Sequence, residues 1–147
     1  MRPRLVAAGI ASVLIVVCTG CGDSGKEYCS ALAADQETFS AMQEDTSGLA
    51  LLRHVTLLHR LADKAPDDLS DEWQVLLGAL DSFSHTLDEV GVSPDDFVDG
   101  KPPAGLGAAD RTRIANAADV LSSADVVDAA NGIEQQAKDV CKLQLGL

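Results

Sequence analysis

Aromatic side chains are few: one Trp, one Tyr and three Phe, 3% of 147 residues. That excludes the stacking platforms with which proteins grip unpaired bases. Basic residues are outnumbered, 11 Lys+Arg against 23 Asp+Glu, for a net charge of −12. A nucleic-acid binder needs a basic stripe to displace counterions from phosphates, so no nucleic-acid partner is expected. No apolar run reaches the ~20 residues that a membrane-crossing helix requires. The alternation of half-buried strands is missing. So are H-E-x-x-H, the G-x-S-x-G elbow, G-x-x-x-x-G-K-[ST] and an N-x-[ST] acceptor. What remains is 46% hydrophobic, too apolar for a disordered chain and of a length that suits one domain.

The N-terminus carries an address. Arg2 and Arg4 precede Leu5–Val17, thirteen residues without a charge, the length of a signal-peptide core. Thr19, Gly20 and Cys21 follow. Small residue, small residue, cysteine after such a core resembles a bacterial lipobox. The resemblance implies cleavage between Gly20 and Cys21 and a diacylglycerol on the Cys21 sulfur. The chain departs from the pattern at Cys18, where an aliphatic residue is usual. Cleavage elsewhere would leave a soluble secreted protein. Cys18-Thr19-Gly20-Cys21 also spells C-x-x-C, but a redox motif needs a strand before it and a helix after it. The expected division is a signal peptide at 1–20, a leash at 21–26 and a helical domain at 27–147.

Four cysteines are present. With Cys18 discarded and Cys21 acylated, Cys29 and Cys141 remain near the two ends of the domain. Outside the cytoplasm such thiols pair. For a loop of about 100 residues the chain-entropy model gives roughly 4–5 kcal/mol. Loss of Arg2 and Arg4 leaves nine basic residues against 23 acidic ones, a net of −14.

The domain reads as an all-α antiparallel bundle of four to five helices. Ser24 and Glu27 form a capping box ahead of a first helix that runs to about Gln43, with Tyr28, Leu32, Phe39 and Met42 on one side. A second helix at about 48–65 sets Leu51, Val55, Leu58, Ala62 and Ala65 on one face. A third carries Leu69, Trp73, Leu76, Leu80, Phe83, Leu87 and Val90 in steps of four and three, the seam of a packed bundle. Gly91 and Pro94 end it, and Val92 folds back onto its last turn. Ser93 caps a single turn that starts with Pro94. Residues 99–109 form a loop rich in Gly and Pro. A fourth helix spans about 109–122, and Ser122-Ser123 breaks it. The last, about 124–143, presents Val126, Ala130, Ile133, Ala137 and Val140, while Gly132 admits a close neighbour.

Chemistry is sparse. His54 and His59 are five apart and diverge by about 140° on a helix, so they cannot share a metal. His85 stands alone. Asp95, Asp96, Asp99 and Gly100 suggest a calcium loop, but Phe97 and Leu106 fall where ligands belong. Gly105-Leu106-Gly107 lacks the Lys and the strand of a phosphate cradle. Gly22-Asp23-Ser24-Gly25 shares letters with a protease nucleophile segment, without the strands that fold requires. No catalytic residue, cofactor or metal ligand is expected.

Lipobox cysteine, Tyr28-Cys29, Ala65-Pro66 before Trp73, Val90-Gly91-Val92 before Pro94, and Ile133 to Val140-Cys141 together resemble small actinobacterial lipoproteins of uncharacterised function. The resemblance implies a helical, disulfide-closed domain anchored to the outer face of the cytoplasmic membrane. The expected role is a non-enzymatic binding module of the envelope, with a protein or cell-wall partner. The other readings are a soluble secreted helical protein, and a hydrolase or metal-dependent enzyme using His85 and nearby carboxylates. Hydrophobe carriage is a further reading, and it requires a cavity of several hundred Å3.

Overall fold

The computed structural model describes residues 23–147, and their regular structure is helical apart from one antiparallel bridge between Val98 and Lys101. The elements are α1 (Asp23–Ala34), α2 (Gln36–Glu44), α3 (Ala50–Arg53), α4 (Val55–Ala62), α5 (Ser70–Glu89), α6 (Ala108–Leu121) and α7 (Ala124–Gln136). A π-helical turn, Ala137–Cys141, continues α7. The all-α expectation holds. No helix among the described residues is long and apolar enough to cross a membrane.

These elements make four columns, three of them broken. Asp35 separates α1 from α2, His54 separates α3 from α4, and Ser122-Ser123 separates α6 from α7. Only α5 is unbroken, and it packs against α3, α4, α6 and α7. Its seam is buried as the 4,3 spacing requires, from Leu69 and Trp73 through Phe83 to Leu87. Leu77 and Ala79 are buried as well, because neighbours cover more than one side. Neighbouring columns run antiparallel. Arg113 near the start of α6 pairs with Glu89 at the end of α5, while Gly132 late in α7 faces Glu72 at the start of α5.

The end of α5 follows local rules. Gly91 takes φ +68, Val92 N–H donates to Leu87 O and Gly91 N–H donates to Asp88 O. That is a left-handed glycine cap, with Val92 buried against the last turn. Ser93 and Asp96 then form a reciprocal cap around the turn Pro94–Asp96. Asp99 and Gly100, both at positive φ, close the tight turn between Val98 and Lys101.

Several expectations change. Asp23–Lys26 belong to α1, so the leash expected at 21–26 is helical from Asp23 onward, and Ser24 lies inside the helix rather than ahead of it. The second helix is interrupted at His54, and the break turns its buried face: Leu52, Leu58 and Leu61 go inside, while Leu51 and Val55 are only partly covered. In the last helix Ala129 is buried and Ala130 only in part. Val140, expected on the apolar stripe, is 55% exposed. The π turn adds part of a residue to the spacing after Ala137, so Cys141 takes the inward position. Signal, lipobox and Cys18 and Cys21 lie outside the described residues.

Candidate functional site

Cys29 in α1 and Cys141 in the π turn are bonded, with Cα atoms 5.1 Å apart and a sequence separation of 112. The bond fixes the first helix to the last. Beyond it, Lys142 adopts φ 61 and reverses the chain. Residues 143–147 then run back between α2 and α7, and sequence patterning gave no sign of this strap. Glu134 accepts N–H bonds from Leu145 at 3.0 Å and Gly146 at 2.8 Å. Gln36 Nε2 donates to Gln144 O, and Gln43 Nε2 to Leu145 O. Leu145 is fully buried.

Two open clefts meet the chain at the break between α1 and α2. The first, about 600 Å3, lies between α1 and the end of α4 and is lined by Lys26, Glu27, Asp35, Arg60 and Lys64 among others. Arg60 Nη2 reaches both oxygens of Asp35, at 2.9 and 3.0 Å, which ties the break between α1 and α2 to α4. The second, about 530 Å3, is lined by Gln36, Lys138, Lys142, Leu143 and Gln144. A third hollow, about 230 Å3, is apolar. It opens where the α3/α4 and α6/α7 breaks diverge from α5, between Leu52, Leu76, Leu80 and Val126, with Leu147 on its wall. That is smaller than the ~300 Å3 at which ligand pockets begin.

Arg53 organises the opposite end. Its guanidinium donates to Asp45 Oδ2 at 2.5 Å, Asp95 Oδ1 at 2.9 Å, Ser47 Oγ and Pro94 O. Hydrogen bonds from Ser47, side chain first and then backbone, hold the Asp45 carboxyl below its ordinary range, and Arg53 adds to this. Inside the core, Trp73 Nε1 donates to Tyr28 Oη at 3.2 Å, and the rings meet edge to face. Burial pushes the Tyr28 hydroxyl up to about 12, with the Trp73 bond opposing.

The histidines are dispersed. His59 Nε2 lies 2.9 Å from Asp81, both half exposed. His85 is on the open side of α5, 75% exposed, with Glu89 at 3.6 Å as its carboxylate neighbour. It lines none of the three hollows. Asp95 and Asp96 are engaged in the Arg53 cluster and the Ser93 cap. Among the described residues no three His, Cys, Asp or Glu side chains gather as metal ligands would. Compared with models of protein families, with curated proteins and with solved structures, the chain has no match.

Proposed function

We propose that the protein is an exported lipoprotein, trimmed ahead of Cys21 and held by lipid at the outer face of the cytoplasmic membrane. Its helical domain acts as a binding module for an envelope partner. The observation that carries this reading is the order of the four sulfurs. Cys21 follows a signal-like core and two small residues, and the next two cysteines along the chain are joined in the fold. Disulfides of this kind belong to oxidising compartments. The first cleft begins at Lys26, a few residues after the anchor position, and with the second gives a partner an open surface with both charges and amides.

Intact-mass analysis of native material tests the reading. The expected species starts at Cys21, carries acyl groups and lacks the two hydrogens of a disulfide. An uncleaved N-terminus with free thiols would overturn it. C21S should yield a species without acyl mass.

A further inference from the structure

Charge is unevenly distributed around α1. Of the five lysines, Lys26 and Lys64 line the cleft between α1 and α4, Lys138 and Lys142 line the one between the start of α2 and the π turn, and all four are exposed. Among the described residues none of them is in an ion pair. The arginines behave differently. Arg53, Arg60 and Arg113 are paired with carboxylates, and Arg111 is spent on the carbonyls of Ala104 and Leu106. Two acids, Glu27 and Asp35, line the clefts, both in the first. With Arg60 counted, five bases meet two acids in the two linings. The rest of the chain beyond Cys21 then holds four bases and twenty-one acids.

Such a molecule is oriented by an anionic surface. The strongly acidic remainder is repelled, and the cleft linings with their exposed ammonium groups, of which Lys142 Nζ also donates to Asp139 O, are not. Tether length agrees. Lys26 lies five positions after Cys21, a span of at most ~18 Å even if fully extended. We infer that the α1 side of the domain lies against the membrane, its four lysines meeting the headgroups of anionic phospholipids. The inference rests on the lipid-anchor reading above and adds which side faces the bilayer and what chemistry it meets.

The test uses the native acylated protein in phosphatidylglycerol vesicles and, separately, in phosphatidylcholine vesicles. Flotation with phosphatidylcholine reports the anchor alone. An amine-reactive ester then reads each lysine by peptide mass, with Lys101 in the tight turn as internal reference. Lys26, Lys64, Lys138 and Lys142 should label about fivefold more slowly in phosphatidylglycerol, and Lys101 equally in both. Salt at about 1 M, where the Debye length is ~3 Å, should restore the rates. Equal labelling in the two vesicles, or protection insensitive to salt, would overturn the inference while leaving the anchor standing. Failure to float would overturn the anchor reading, and the inference with it.

Discussion

Tyr28 is the one tyrosine in the chain, so its ionisation can be followed alone. The folded hydroxyl titrates at about 12, against an ordinary value near 10. A raised acid in the folded state leaves stability intact below pH ~10 and removes it as pH climbs toward 12. Phenolate absorbance should rise near pH 12 in the folded protein. Stability measured by urea should fall above pH 10, and Tyr28→Phe should flatten that fall. The same substitution strands the Trp73 N–H in the core and should cost about 1–3 kcal/mol at neutral pH. Asp45 has the opposite sign. Its carboxyl is depressed, so its contribution is present above pH ~4 and lost as pH drops through the lower folded value. Asp45→Asn should remove that part of the acid limb in denaturation curves recorded between pH 5 and 2.

At the scale of elements, two glycines separate conformational strain from crowding. Gly91 has φ +68 with open space where a Cβ would sit. Gly91→Ala should cost about 1–2 kcal/mol, the strain of a left-handed residue alone. Gly146 has φ +71, and a Cβ there would run into Gln43 Cγ. Gly146→Ala should cost more than Gly91→Ala, because Gln43 must give up its bond to Leu145 O. Urea denaturation of the two variants side by side checks the order. Glu134 holds the strap through two backbone N–H groups, so Glu134→Ala should speed amide exchange at Leu145 and Gly146 by tenfold or more. Exchange in the middle of α5 should be unchanged.

For the whole molecule the decisive restraint is the link between its ends. The Cys29–Cys141 bond spans 112 residues, and removing a native bridge from a small domain costs about 2–5 kcal/mol. The paired variant Cys29→Ser with Cys141→Ser should lower the unfolding free energy read from urea denaturation by that amount. It should retain its helical circular dichroism, because α5 and its neighbours bury their seams without the bridge. Its strap should exchange faster than its core, since the π turn and Lys142 reversal sit at the broken link.

Much of this was legible in the residues themselves. The α5 seam, the Gly91 cap, the Ser93-Pro94 turn, the break at Ser122-Ser123 and the close approach at Gly132 all follow from rules that act within one or two helical turns. The order of the cysteines pointed to the bridge by its own logic. Tertiary structure alone decided which way α3 and α4 turn their leucines, that Val140 faces water and that residues 143–147 fold back as a strap. It also brought Lys26 and Lys64 to one cleft and Lys138 and Lys142 to another, at the break between α1 and α2. The strap's bonds join residues more than 100 positions apart, as Gln36 to Gln144 does, and no local period encodes which amide will find which carbonyl. Those partners are fixed only when the columns pack and bring the strap against α2 and α7.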